Sequence, residues 1–142
     1  MRDDLIRSVA RGGLAAFFLL AGVLHLASPA GFLLITPDWV PDKPAVIAFT
    51  GVCEVVGAIG LLTPATRTWA GAALALYAFC VFPANIKQAL EHIAVPGLPD
   101  TWWYHGPRLL AQPLLIWLTL FSAGFRVWPV RAKASLCDQR PL

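Results

Sequence analysis

Charged side chains are scarce in this sequence. Only 13% of its 142 residues are Asp, Glu, Lys or Arg, about half of the roughly 25% that soluble domains carry. The polar surface that a soluble domain of this length needs is therefore missing. The sequence also lacks any polybasic run and any alternation of basic and aromatic residues, so nucleic-acid binding is not expected.

The spacings that redox thiols and metal sites require are also absent. The three cysteines, Cys53, Cys80 and Cys137, lie far apart, so no vicinal pair is available for thiol chemistry. We expect Cys53 and Cys80 to be small buried side chains. The sequence contains no HExxH, ExxH or paired CxxC motif, and we expect no metal site. Side chains that could bind a metal are spread over separate segments: His25, Glu54, His92 and His105.

Apolar residues take the place of the missing charges: 58% of the sequence is hydrophobic, with a mean hydropathy of +0.66. They form four stretches, at residues 12–27, 45–62, 68–81 and 109–125. A bilayer core of ~30 Å needs about 20 helical residues, and flanking tryptophans that favour the interface extend the stretches: Trp69, Trp103 and Trp128. The sequence predicts an all-α, polytopic membrane four-helix bundle, with a retained first helix rather than a cleaved signal peptide.

The distribution of lysine and arginine predicts the orientation of this bundle. Eight basic residues fall on the side of the two termini: Arg2, Arg7, Arg11, Arg67, Arg126, Arg131, Lys133 and Arg140. Only three fall on the other side: Lys43, Lys87 and Arg108. Both termini are therefore expected in the cytoplasm. The expected location of the protein is a bacterial plasma membrane. The domain organisation is a cytoplasmic N-terminal tail (1–11), a membrane domain (12–125) and a basic cytoplasmic C-terminal tail (126–142).

Both outer loops are rich in proline and tryptophan. The first, residues 28–44, contains the apolar run FLLI; the second, residues 83–107, begins with a turn at the FPAN sequence and carries apolar residues at helical spacing from Ile86 to Ile93. The sequence predicts short amphipathic or interfacial segments in both loops. Their similar layout fits either a duplicated helical hairpin or the composition that interfacial loops share.

Glu54 is the one carboxylate inside the second apolar stretch, within FTGVCEVVGAIG, and no opposite charge lies within four positions of it. Counted from the start of the stretch at ~1.5 Å per residue, it lies ~13 Å deep. A charge at this depth is costly unless it is paired or protonated. It either exchanges a proton or binds a ligand, or it forms a structural hydrogen bond. Gly51 and Ala58 share its helical face, so a neighbouring helix can approach it closely.

The other polar residues gather at the outer ends of the helices. We therefore predict a polar pocket that opens towards the outer face and has Glu54 as its floor. Arg108 is the natural partner for the Glu54 carboxylate, and His92 and His105 are expected in the loop rather than in the pocket. No catalytic residue can be assigned. The candidates for ligand binding or proton exchange are Glu54, His25, Asn85, Arg108 and Gln112.

Four motifs resemble the DoxX-like family of small four-helix membrane proteins, over residues 10–125. They are HxxxPxxF from His25, ITPDWVP from Ile35, GxxExxGAxGLLxPxxR from Gly51 and FPAN from Phe82. The resemblance implies a four-helix membrane fold and directs attention to His25, Glu54 and Asn85. The family takes its name from a membrane subunit of a quinone-linked sulfur oxidoreductase, and some relatives belong to membrane redox or oxidative-stress systems.

Two functions are compatible with these features. In the first, the chain is an accessory membrane subunit of a quinone-linked oxidoreductase rather than a self-sufficient enzyme. A quinone is then the candidate cofactor, Glu54 exchanges protons, His25 and Arg108 orient the ligand oxygens, and a partner subunit supplies electrons. In the second, the chain is a non-catalytic binding, transport or scaffold protein of the lipid bilayer, which assembles with itself through its glycine-rich helix.

Overall fold

The structure is a computed structural model and describes residues 2–125. This part of the chain is helical and contains no strand. Its elements are α1 (Arg2–Ala27), α2 (Ala30–Ile35), α3 (Lys43–Leu62), α4 (Arg67–Leu90) and α5 (Trp102–Ala123). The all-α prediction is confirmed for these residues. The predictions made for residues 126–142, namely a basic tail with Cys137 and an interfacial Trp128, lie outside the described residues.

Three of the described helices are long and apolar enough to cross a membrane. They are Asp4–Ala27, Lys43–Leu62 and Arg67–Leu90. These helices give the chain the character of a membrane protein, as its composition predicts. The remaining long helix, α5, has 22 residues and carries more polar side chains.

The helices are longer than the apolar stretches predict. α1 begins at Arg2, so the described part of the predicted N-terminal tail is helical; its cytoplasmic location stays a prediction. α5 begins at Trp102 and includes both Pro107 and Pro113. Polar residues near each end thus continue the helix instead of ending it.

α4 corrects the prediction for the second outer loop. The helix continues through Pro83 to Leu90, so FPAN is not a turn, and the apolar pattern from Ile86 belongs to α4 rather than to a separate segment. Pro83 cannot donate a hydrogen bond to the preceding turn. Gln112 of α5 donates from Nε2 to the Ala78 carbonyl nearby, at 2.6 Å. In the first loop, by contrast, α2 is the short apolar segment that was predicted.

The four long helices pack in a closed ring. α1 contacts α3, α3 contacts α4, α4 contacts α5, and α5 contacts α1, while α2 lies against α3 and α4. The buried apolar core comes from the middle of α1, the end of α3, the start of α4 and the end of α5. We call this end of the ring the core end; its residues are Leu14, Ala15, Phe18, Ala58, Leu61, Leu74 and Ala123.

Two arginines of α1 close the ring at the core end. Arg7 donates from Nη1 to the carbonyl of Phe121 at 2.5 Å, and Arg11 donates from Nη2 to the carbonyl of Ser122 at 2.9 Å. The last carbonyls of a helix have no partner within it. The arginines therefore satisfy C-terminal carbonyls of α5 and join α1 to α5.

α1 and α3 approach each other most closely at two glycines. A Cβ atom on Gly22 would lie 2.7 Å from the Gly51 carbonyl oxygen, and one on Gly51 would lie 2.9 Å from Cβ of His25. Gly51, Glu54 and Ala58 are all buried on one face of α3, as predicted. The close approach brings α1, and His25 with it, against the Glu54 side chain.

The two helices are displaced along their axes. His25 is two residues from the end of α1, whereas eleven residues of α3 precede Glu54. The first part of α3 therefore extends beyond the end of α1, and α2 packs against it there. Of the cysteines in this region, Cys53 is half-buried and Cys80 is exposed, so the prediction of burial was wrong for Cys80.

Candidate functional site

A cavity of about 620 Å³ occupies the end of the ring opposite the core. Its volume lies in the range typical of small-molecule sites. All five helices and the residues that follow α2 line it, mostly with aromatic and aliphatic side chains such as Phe18, Phe32, Ile47, Leu115 and Leu118. All five candidate residues from the sequence also lie on its wall: His25, Glu54, Asn85, Arg108 and Gln112.

Glu54 pairs with His25 rather than with the predicted Arg108. Its Oε2 lies 2.7 Å from Nδ1 of His25, and the two residues are only 3% and 8% exposed. Nδ1 also lies 3.0 Å from the Ala21 carbonyl oxygen, which can only accept; Nδ1 therefore carries the proton. This N–H points at the Ala21 carbonyl. The buried Oε2 of Glu54 therefore lies beside the imidazole but accepts no hydrogen bond from it.

Two aromatic residues complete the surroundings of this pair. The Phe32 ring, supplied by α2, stacks on the His25 imidazole with centroids 3.8 Å apart. Tyr77 of α4 lies close enough for its side chain to interact with that of Glu54, and it also lines the cavity. The sequence reasoning missed Tyr77. The signal was present, since a tyrosine hydroxyl within an apolar helix needs a polar partner.

A second polar group on the cavity wall joins α4 to α5. Arg108 donates from Nη2 to Oδ1 of Asn85 at 2.7 Å and from Nη1 to Oε1 of Gln88. Asn85 donates from Nδ2 to Oε1 of Gln112 at 3.2 Å, and Gln112 in turn donates to α4 through Ala78. Gln88 was not among the predicted residues, although it lies three positions after Asn85 on the same helical face.

The model of a family described as a domain of unknown function, DUF8561, matches residues 14–123. The chain belongs to the DUF8561 family. No curated protein and no solved structure matches the sequence. Both polar groups of the cavity lie within the matched part of this DUF8561 chain.

Ionic contacts hold the segment after α2 beside the cavity of this DUF8561 chain. Asp38 accepts from Nζ of Lys43 at 2.7 Å and from Nζ of Lys87 at 3.4 Å, and Lys87 also donates to the carbonyl of Thr36. The hydrogen bonds from Lys43 and Lys87 lower the pKa of Asp38. The neighbouring Trp39 and Val40 line the cavity, so these contacts fix one of its walls.

A separate cluster of two histidines and one carboxylate joins the α4–α5 loop, residues 91–101, to the start of α5. Oδ1 of Asp100 lies 3.4 Å from Nδ1 of His92 and 3.1 Å from Nε2 of His105. Neither histidine lines the cavity, which agrees with the expectation. His105, however, is not a loop residue: it belongs to α5 and is only 1% exposed. His92 has φ 49°, in the left-handed region that favours glycine.

Hydrogen bonding in this cluster has a defined pH dependence. The hydrogen bond from His105, followed by that from His92, lowers the pKa of Asp100 below its ordinary 3.8, although desolvation opposes the change. A carboxyl group with a lowered pKa in the folded state stabilises that state above its ordinary pKa. This contribution is therefore present at neutral pH and is lost as the pH falls through the lowered pKa.

Asp100→Ala is expected to loosen the α4–α5 loop of the DUF8561 chain. The change leaves Nε2 of the buried His105 without an acceptor and removes the contact to His92. Amide hydrogen exchange across residues 91–101 should become roughly fivefold faster, the factor expected when one hydrogen bond is lost. The control is Glu91→Ala, which removes an exposed carboxylate from the same loop. Equal exchange rates in the two variants would contradict a structural role for Asp100.

Proposed function

We propose that the chain is an integral membrane protein that binds a lipophile, such as a quinone, in the cavity around Glu54. In this proposal α1, α3, α4 and α5 form a four-helix bundle across a bacterial plasma membrane, with both termini in the cytoplasm and the cavity in the outer half. The closed ring of contacts and the length of α5 support four spans. The excess of lysine and arginine on the side of the termini supports the orientation.

The observation that carries this proposal is the composition of the cavity wall. A largely apolar, partly aromatic chamber ends at a buried carboxylate beside an imidazole, Glu54 and His25. Ligand sites combine an apolar lining with a few placed polar groups in this way. A flat lipophilic ring with oxygen substituents would contact the aromatic side chains and place an oxygen near the polar pair.

The chemistry of the pair suits a quinone. Quinone reduction takes up protons, and a carboxyl group held next to an imidazole can deliver them to a ligand oxygen. Electrons would come from a partner oxidoreductase subunit, which makes this chain an accessory subunit of a redox-associated system. The DoxX-like motifs favour this version of the proposal, since His25 and Glu54 are among the residues that they pick out.

A non-catalytic binding or transport role in the bilayer is the second candidate. Phe17 of α1 and Leu114 of α5 line the cavity and are also 52% and 54% exposed. A lining residue that is also exposed marks a place where the cavity reaches the surface, and α1 and α5 each supply one. On the proposed topology this opening faces lipid, so a lipophile could enter and leave sideways without any reaction.

Filling the cavity tests the part that both candidates share. Ala84 is a half-buried residue of α4 on the cavity wall, and Ala84→Phe places a ring in the ligand space. We expect purified wild-type protein in nanodiscs to bind decylubiquinone saturably, and Ala84→Phe to weaken this binding at least about tenfold, equivalent to about 1.4 kcal/mol. The measurement is quenching of tryptophan fluorescence.

The matched control is Ala48→Phe, which adds the same side chain to an exposed position of α3 that does not line the cavity. It should bind decylubiquinone like the wild type. The proposal fails if wild-type nanodiscs take up no more decylubiquinone than empty ones, or if the two variants bind equally well.

A further inference from the structure

Arg108 is a cation on the cavity wall, and no acidic partner pairs with it among the described side chains. Its two hydrogen bonds go to neutral amide oxygens, those of Asn85 and Gln88, and its guanidinium lies 5.7 Å from the centre of the Tyr104 ring. No carboxylate of residues 4–125, the part of the chain whose side chains the structure describes, forms an ion pair with it. The carboxylates that do form ion pairs have other partners: Glu54 with His25, Asp38 with Lys43 and Lys87, Glu91 with Lys87, and Asp100 with His92 and His105.

The position of Arg108 makes this lack of a partner significant. It is half-buried and lies six residues after Trp102, about 9 Å along the helix axis. A guanidinium taken out of bulk water needs an opposite charge, because neutral acceptors satisfy its donors but not its charge. Arginine has five N–H donors, so the two bonds to amides leave donors for a ligand.

The amide groups also hold the guanidinium in place. Asn85 and Gln88 accept from both of its terminal nitrogens, and Asn85 is itself bonded to Gln112. A cation fixed by neutral acceptors keeps its full charge, whereas an ion pair within the protein would cancel it. The network therefore presents a positioned positive charge on the wall of the cavity.

Along α5, the side chains on the cavity wall change from polar to apolar. Tyr104, Arg108 and Gln112 come first, and Leu115 and Leu118 follow towards the core end. Phe18 of α1 also lines the cavity and belongs to the core cluster at that end. The wall thus matches a molecule that has a polar head at Arg108 and an apolar body directed at the core.

We infer that the ligand of this cavity is an amphiphile with an anionic head, which pairs with Arg108 while its hydrocarbon part fills the apolar chamber. The inference rests on the proposed function for the site itself and adds the class of ligand. A neutral quinone would accept hydrogen bonds from Arg108 but leave its charge without a counter-ion. Carboxylate and phosphate heads share the required chemistry, since both accept charge-assisted, bidentate hydrogen bonds from arginine.

The test compares ligands of equal chain length and different heads. Wild-type protein in nanodiscs of zwitterionic lipid is titrated with palmitic acid, hexadecyl phosphate and hexadecanol, each displacing bound decylubiquinone. We expect the acids to compete at least about tenfold more strongly than the alcohol. The stronger of the two acids identifies the head as a carboxylate or a phosphate.

Three variants assign the preference to Arg108. Arg108→Gln should reduce the difference between acid and alcohol to about twofold or less, because the charge is removed and the apolar chamber is kept. Decylubiquinone loses its hydrogen bonds to Arg108 and should bind more weakly to this variant, so acid and alcohol are compared within the same variant. Arg108→Lys keeps the charge and should retain most of the preference. Arg67→Gln, the matched control, removes an arginine that does not line the cavity and should behave like the wild type.

The failures of the two proposals can be told apart. Equal competition by palmitic acid and hexadecanol in the wild type, or a preference that persists in Arg108→Gln, overturns the anionic head and leaves the lipophile site intact. If the wild-type protein binds decylubiquinone and all three competitors no better than empty nanodiscs, the site itself is refuted, and the anionic head with it.

Discussion

His25→Ala is expected to lower the free energy of unfolding by about 2 to 5 kcal/mol, the range seen when a large buried side chain is replaced by alanine. One reason is that the buried Glu54, 3% exposed, loses the imidazole beside it and keeps Tyr77 as its polar neighbour. The change also removes the ring on which Phe32 stacks. The measurement is unfolding by SDS in mixed micelles.

A second substitution should recover part of this loss. In His25→Ala/Glu54→Gln the acidic group that lost its neighbour is replaced by a neutral amide. We therefore expect the double variant to be more stable, by about 1 to 3 kcal/mol, than the two single effects added together predict. His92→Ala combined with Glu54→Gln is the control, because His92 contacts Asp100 and not Glu54; here the effects should add. Additive effects for the His25 pair as well would show that the 2.7 Å contact contributes nothing.

Gly22→Ala is expected to separate α1 from α3. Its new methyl group would meet the Gly51 carbonyl at 2.7 Å and a methyl of Val55 at 2.9 Å, and a backbone atom cannot swing aside as the end of a flexible side chain can. Overpacking of this kind costs about 1–3 kcal/mol. Because the same crossing positions His25, the variant should also bind decylubiquinone more weakly. Both effects are measured with the assays described above.

Gly12→Ala is the matched control in the same helix. A Cβ atom at Gly12 meets nothing within 4 Å, and alanine favours a helix interior over glycine by up to about 1 kcal/mol. The variant should therefore be as stable as the wild type or slightly more so. If Gly22→Ala matched it, the close approach of α1 and α3 would not need glycine.

The sequence predicted which residues belong to the candidate site better than it predicted which of them contact each other. Glu54 stands out in the sequence because a carboxylate is costly to bury in a membrane. The other four candidates stand out because polar residues gather at one end of the helices. Which of them meet depends on how far α3 extends beyond α1, and that displacement is set by packing at Gly22 and Gly51. No local sequence pattern encodes this displacement. The sequence therefore predicted Arg108 as the partner of Glu54, whereas the structure has His25 there.

The ends of the helices were the least predictable part of the fold. Proline and polar residues predicted that one helix ends at Pro83 and that another begins only at residue 109. In the structure, α4 and α5 continue through these positions. In both places hydrogen bonds between α4 and α5 lie close by, such as the one from Gln112 to the Ala78 carbonyl. Contacts between residues far apart in sequence thus override the local preference.

The network between α4 and α5 also bears on how the chain enters a membrane. α5 is the long helix that is not among the three found apolar enough to cross on their own. Its polar residues Arg108 and Gln112 bond to Asn85 and Gln88, which would otherwise face lipid from α4. On the proposed topology, neither helix is fully compatible with hydrocarbon until the other is beside it. During synthesis, α5 is therefore expected to leave the translocation machinery together with α4 rather than as an independent span.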